Sequence, residues 1–373
     1  MARAPVSSEI VAVPEADCLE GFAHPRMTKA LVGHEETERV LGEALQSGRM
    51  HHAWLLTGPA GIGKATLAYR FARAALARPD ERGMFGDSLD IDPQTATARQ
   101  VAALSHPGLL VIRRAYDQKA KRFAAAISVD DVRRLKSFLA HSTSEDGWRV
   151  VIVDSADEMN ANAANALLKS LEEPPPRTVF LIISSAPGRL LATIRSRCRV
   201  LTIAPLASAP LRRAVTLALE EAGKPTPSPS DWELLETIAG GSVRRALALL
   251  ENSGLALQSR IDKILAALPK LDGRAAHALA DELQSAQQEQ KFLLFGELLQ
   301  ETIARLIKAE ATGQGRADDI AAAQRLIGPE RLATFAELWE TLARDRADAL
   351  SLNLDRKSLI LTGFARLEAA CRR

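Results

Sequence analysis

At 373 residues and a formal net charge of only +2, the chain has room for two or three domains and carries no global positive field that would by itself demand nucleic acid. Its three cysteines, Cys18, Cys198 and Cys371, lie far apart and form no C-x-x-C pair; they offer neither a disulfide framework nor a zinc site, which fits a reducing cytoplasm. No run approaches the ~18 uninterrupted apolar residues of a membrane span, and the stretch Met1 to Asp17 lacks the apolar core of a secretory signal, so a soluble intracellular protein is expected.

Residues 1–25 read as a flexible leader. A first helix is predicted over Glu35–Ser47, where Val40, Leu41 and Leu45 form an apolar stripe at helical spacing. The apolar run Ala53, Trp54, Leu55, Leu56 predicts a strand. It leads directly into Gly58-Pro59-Ala60-Gly61-Ile62-Gly63-Lys64-Ala65-Thr66. This is G-x-x-x-x-G-K, a loop whose backbone N–H groups wrap phosphates and whose lysine reaches the β- and γ-groups. A helix predicted over Thr66–Ala77 completes the strand–loop–helix context, and its N-terminus adds an attraction for anions. The hydroxyl that should follow the lysine to hold magnesium is missing, because Ala65 stands there. Thr66 lies ~100° further round the helix, at ~3.6 residues per turn, and does not replace it without a shift of register.

Arg78 to His106 reads as a surface excursion with a short helix near Ala98–Leu104. A strand is predicted at Leu109–Ile112. The basic stretch Arg113, Arg114, Lys119, Lys121 and Arg122 then reads as a solvated loop, or one that lies near DNA phosphates. Ser128 and Asp131 make a capping pair ahead of a helix whose face is Val132, Leu135, Phe138 and Leu139. The strand predicted at Arg149–Val153 ends on Asp154, the acidic residue that a phosphate loop needs on a neighbouring strand. Ser155 follows, and its hydroxyl carries no charge to draw a proton from water. Asp157 and Glu158 are assigned to starting the next helix, where acids suit the helix dipole. That helix, Asn162–Glu173, stops against Pro174-Pro175-Pro176. A strand at Thr178–Ser184 and a short helix at Gly188–Ile194 lead to Arg195-Ser196-Arg197-Cys198-Arg199. Strands that are apolar on both faces and alternate with helices predict a parallel sheet covered on both sides.

After Pro205 the strands stop. A helical unit runs to Leu257, interrupted by the turn at Lys224–Ser230, and amphipathic helices follow at Ala275–Gln287, Lys291–Glu310, Pro329–Ala343 and Arg356–Ala370. The expected division is a leader (1–25), a nucleotide-binding domain (26–205), a helical lid (206–265) and a helix bundle (266–373). Phe292, Leu293, Leu294, Phe295, Leu298 and Leu299 spread over much of one helix, which must be buried within its own bundle or against partners.

The segments Val32-Gly33-His34-Glu35, His51-His52-Ala53-Trp54-Leu55-Leu56-Thr57-Gly58, Asn165 through Leu167-Leu168-Lys169 to Leu171-Glu172-Glu173-Pro174-Pro175, and Ser196-Arg197-Cys198 together resemble the clamp-loader branch of the AAA+ ATPases. The resemblance covers roughly residues 28–251. It implies an α/β AAA+ P-loop domain with a parallel sheet flanked by helices, a small helical lid, and a C-terminal all-α collar. It also implies that Arg197 acts in trans as an arginine finger on a neighbour's ATP. Ser185 or Ser184 takes the first sensor position and Arg244 the second, joining Gly58 to Thr66 and Asp154 around any bound nucleotide. Motor subunits of this branch carry a hydroxyl after the loop lysine and a glutamate after the strand aspartate. With Ala65 and Ser155 in those places, ATP binding is possible and hydrolysis is expected to be negligible, since loss of a general base alone costs ~10²–10⁴-fold. Magnesium is implied only with nucleotide. Many clamp-loader subunits carry a four-cysteine zinc module after the loop helix, but residues 78–106 contain no cysteine, so no zinc is expected. Implied partners are gamma/tau-type motor and delta subunits and, through the complex, a sliding clamp and primed DNA, with no membrane. The alternative is that the chain is itself an ATP-hydrolysing gamma/tau-type motor; a nucleic-acid-binding AAA+ repair protein or helicase loader is a more distant one.

Overall fold

The computed structural model describes residues 14–28, 30–82, 89–140, 147–251, 253–352 and 355–372. By compactness the chain divides into two units, Met1–Trp232 with Ala239–Arg245, and Glu233–Ile238 with Ala246–Arg373.

The first unit is built on five parallel strands: β1 (Ala53–Thr57), β2 (Leu109–Ile112), β5 (Arg149–Val153), β6 (Thr178–Ser184) and β7 (Arg199–Thr202), in the order β2-β5-β6-β1-β7. A short antiparallel hairpin, β3 (Tyr116–Asp117) with β4 (Arg122–Phe123), stands apart from them. Alternate residues of the central strands feed two cores. Trp54, Leu56, Val150, Ile152, Leu181 and Ile183 pack on the side of α1 (Glu35–Gln46), α2 (Lys64–Leu76) and α3 (Ala96–Ala102). Leu55, Val151, Val153, Phe180 and Ile182 pack on the side of α4 (Val129–Ala140) and α5 (Ala161–Glu172). Burial on both faces leaves no polar stripe on these strands, as a covered parallel sheet requires.

Helix starts follow local chemistry. Asn160 Oδ1 accepts from Ala163 N at 2.8 Å and Thr95 Oγ1 from Ala98 N at 3.2 Å. Ser128 and Asp131 exchange bonds reciprocally ahead of α4, the capping pair the sequence predicts.

Four elements differ from expectation. β7 continues the arginine-rich tail as an edge strand; its side chains are largely exposed, and it exists because Leu55 and Leu56 of β1 pair with Val200 and Leu201. The basic stretch folds into the β3–β4 hairpin, closed by Tyr116 on Phe123 with ring centroids 5.1 Å apart. The helix expected at Gly188–Ile194 breaks into a 3₁₀ turn (Pro187–Arg189) and α6 (Ala192–Arg195), with Leu190 extended between them. The excursion after α2 is fastened by a carboxylate: Glu81 accepts from Arg78 N at 3.0 Å and Thr97 N at 3.1 Å. Burial works against that carboxylate's charge, but these bonds outweigh it and hold its pKa at about 2. Leu89 and Ile91 enter the core beyond it.

α7 (Ser208–Glu221), α8 (Pro229–Ala239) and α9 (Val243–Glu251) follow the sheet. In the second unit, α10 (Gly254–Ala267), α11 (Gly273–Leu283), α12 (Glu289–Thr312), α13 (Ala317–Leu326), α14 (Gly328–Leu352) and α15 (Arg356–Arg372) form an all-helical bundle. α13 was not legible beforehand. α12 is covered within this unit by α10, α13 and α14, and its phenylalanines also meet α15, with the Phe295 and Phe364 ring centroids 5.8 Å apart; Phe292, Phe295, Leu298 and Leu299 are buried there. Among the described residues no helix is long and apolar enough to cross a membrane.

Candidate functional site

The C-terminal ends of β1, β5 and β6 lie side by side, and the chain leaves β1 across β6 and β5 to reach β2. Such a reversal opens a crevice at the strand ends where ligands bind. The loop after β1 needs its glycines. Gly58, Gly61 and Gly63 have φ of +140°, +75° and +111°, and a Cβ on Gly58 would sit 2.3 Å from the Ile203 carbonyl oxygen. His34, 6% exposed, holds the loop from below, its Nε2 2.6 Å from Ile62 O.

Lys64 opens α2 and is buried. Its Nζ donates to Gly58 O at 2.6 Å, to Ser185 Oγ at 3.0 Å and to Pro59 O. Burial pulls its pKa down to about 8, against the attraction of Asp154 and Asp157. Ser184 is fully buried and its Oγ accepts from Ala186 N, so Ser185, not Ser184, meets the lysine. Asp154 is pushed up to about 6, first by burial and then by the charge of Asp17, with the Ser155 N–H opposing. Asp157, expected to start a helix, instead accepts from Ser185 N at 3.0 Å and sets that residue's position. Only a 3₁₀ turn, Ala156–Glu158, follows Ser155. Glu158 pairs with Arg114 at 2.6 Å.

Arg244 is also here. Its N–H donates to Gly61 O at 3.2 Å, but its guanidinium is engaged elsewhere. Nη1 donates to Asp17 O at 2.9 Å, and Nη2 to Cys18 O at 3.2 Å and Ala16 O at 3.4 Å. The described part of the leader, residues 14–25, is therefore held against the crevice rather than flexible. Sequence reasoning missed Asp17, His24 and Arg113 in this arrangement, since nothing local marks contacts made across some hundred residues. Glu15, Asp17 and His24 converge within 4.8 Å, the spacing of a metal site. Arg113 and Arg26 already pair with the two carboxylates, so two guanidinium cations balance their charge.

Arg197 lies apart from these residues. It sits two positions before β7 begins, its Nη2 2.8 Å from Glu172 Oε1 at the end of α5 and its Nη1 2.9 Å from Thr193 O. Because β7 runs parallel to β1, Arg197 is at the N-terminal edge of the sheet, opposite Lys64. It is about one-third exposed.

The loop fits phosphate: three positive-φ glycines, a buried lysine and a helix N-terminus converge on one point. It fits magnesium poorly, because Ala65 offers no oxygen after the loop lysine. The position after Asp154 carries Ser155, whose hydroxyl has no charge to draw a proton from water.

Residues 33–207 match the protein-family model described as DNA polymerase III, delta subunit. Over 148 residues, 39% of this chain and 41% of the relative, the sequence is 44% identical to DNA polymerase III subunit delta' of Pseudomonas aeruginosa. It is 26% identical over 304 residues, 77% of this chain and 42% of the relative, to DNA polymerase III subunit tau of Escherichia coli. The chain spans about two-fifths of the length of these curated relatives. A gamma subunit-related protein of Thermotoga maritima aligns over 89% of this chain and 99% of that chain at 17% identity, with a TM-score of 0.45, too loose a likeness to carry structural conclusions.

Proposed function

We propose that the chain is the stationary, non-hydrolysing subunit of a bacterial DNA polymerase III clamp loader, a reading supported by the match of residues 33–207 to the delta-subunit family model and by the 44% identity to a delta' subunit over 148 residues. In this reading Arg197 completes the ATP site of a neighbouring gamma/tau-type motor. The assembly, with a delta subunit, places a sliding clamp on primed DNA in the cytoplasm. The chain contributes no catalysis of its own to the polymerase holoenzyme. The division into residues 26–205, 206–265 and 266–373, the last a collar for assembly, belongs to the same proposal.

One observation carries it. The chain carries Ala65 and Ser155 where a hydrolase has a hydroxyl and a carboxylate, while Arg197, about one-third exposed, stands at the opposite edge of the sheet from Lys64. Its distance from the chain's own loop supports the reading that it serves another subunit's nucleotide. The test is reconstitution with motor, delta, clamp and primed DNA. Arg197→Ala is expected to lower ATP turnover at the adjoining site at least tenfold with the assembly intact, given that arginine fingers contribute ~10³–10⁵ in related phosphoryl transfer. Unchanged turnover would sink the proposal.

A motor reading is favoured by one fact: the match to the tau subunit covers 77% of this chain against 39% for delta'. ATP turnover by the isolated chain, abolished by Lys64→Ala, would establish it.

A further inference from the structure

The strap at residues 15–26 is fastened at several points of the first unit. Asp17 Oδ1 lies 2.8 Å from Arg113 Nη1 and 2.9 Å from His24 Nε2, with Asp17 only 8% exposed. Glu15 Oε2 lies 2.6 Å from Arg113 Nη2, and Glu15 Oε1 accepts from Arg26 Nη2 at 2.8 Å. Arg26 Nε in turn donates to Ala102 O at 2.7 Å, and Arg73 of α2 donates to Thr28 O at 3.2 Å. Beyond α7, the Lys224 ammonium sits 4.5 Å from the centre of the Phe22 ring.

These anchors hold the backbone of residues 16–18 against Arg244. Three carbonyl oxygens take the guanidinium donors that would otherwise be free for phosphate oxygens. Asp17 adds a second negative charge close enough to hinder ionisation of Asp154, and two carboxylates near the loop repel a polyphosphate. Lys64 is likewise satisfied by the loop's own carbonyls. Every cation of the crevice thus already has an intramolecular partner.

We propose that residues 15–18 are an internal competitor for nucleotide: seated, they hold Arg244 through main-chain carbonyls and close the pocket in cis, so that ATP enters only as the strap leaves. This stands independently of the role of Arg197, since a motor carrying the same strap would need the same release.

Competition of this kind lowers apparent affinity by the fraction of molecules with the strap released. Binding of a fluorescent ATP analogue, mant-ATP with magnesium, to the full chain is compared with binding to the Glu15→Ala/Asp17→Ala double variant. Both are checked for a cooperative thermal melt. The double variant is expected to bind at least tenfold more tightly. A truncation beginning at Leu19 removes the competing carbonyls by another route and is expected to show the same gain if the double variant does not fold. Adding Arg244→Ala to the released chain returns affinity to the wild-type level. Equal binding by wild-type and released chains, including no binding by any of them, overturns the proposal, as does a gain that survives Arg244→Ala.

Discussion

Asp154 follows β5 at 8% exposure, and burial with the nearby charge of Asp17 raises its pKa from 3.8 to about 6. The folded state therefore binds this proton more tightly than the unfolded chain does. Its contribution favours folding at low pH and is lost as pH rises from 3.8 to about 6. At neutral pH the ionised side chain costs on the order of 2–3 kcal/mol, at ~1.4 kcal/mol per unit. Asp154→Asn is expected to recover most of that in urea denaturation at pH 7 and little at pH 4. An equal gain at both values would refute the assignment. Lys64 carries the mirror cost, charged below about 8 in a buried place. Both groups are held at the expense of stability, and Lys64 stands where a phosphate's negative charge would offset that cost. The phosphate loop was legible because its residues are contiguous and each has one backbone duty. Ser185 was separable from Ser184 only through the direction each takes at the end of β6, where one turns inward to the core and the other toward Lys64.

The strands show where periodicity is informative. β2, β5 and β6 occur at the residues expected, because runs such as Val150 to Val153 and Val179 to Ile183 are apolar on both faces. β7 escaped notice because an edge strand with Val200 55% exposed has no such signature and owes its form to β1. Phe180 points fully buried into the core beside α5. Phe180→Ala is expected to cost about 3–5 kcal/mol, whereas Val200→Ala is expected to fall within about 0.5 kcal/mol of wild type. Comparable losses in denaturant titrations would show that the sheet's centre and edge are not distinguished as described. α12 illustrates a different limit: its wide apolar surface demanded cover, but only the packing of α10, α13 and α14 showed that its own unit provides it.

Across the first unit, the strap converts a segment that composition marks as a leader into a brace. Its carboxylates carry the pH dependence. Burial raises the pKa values of Glu15 and Asp17; for Glu15 the Arg26 bond and Arg113's charge, and for Asp17 the His24 bond and Arg113's charge, outweigh it and bring both below their ordinary values of 4.5 and 3.8. Groups lowered in this way stabilise the fold above those values and lose that contribution as pH falls through the lower, folded ones. The strap is expected to stay seated from pH 5 to 8 and to loosen only in stronger acid. Hydrogen exchange of residues 14–28, corrected for intrinsic rate, checks this. Release between pH 7 and 5 would show that another group governs it.

The loop, the buried strands, the alternation with helices and the occurrence of Ala65 and Ser155 at their positions are inscribed in short stretches of chain, where spacing alone dictates conformation or chemistry. The partners of Asp17 and Arg244 and the edge that carries Arg197 are not. They depend on contacts between residues far apart in the chain, and only folding brings those together.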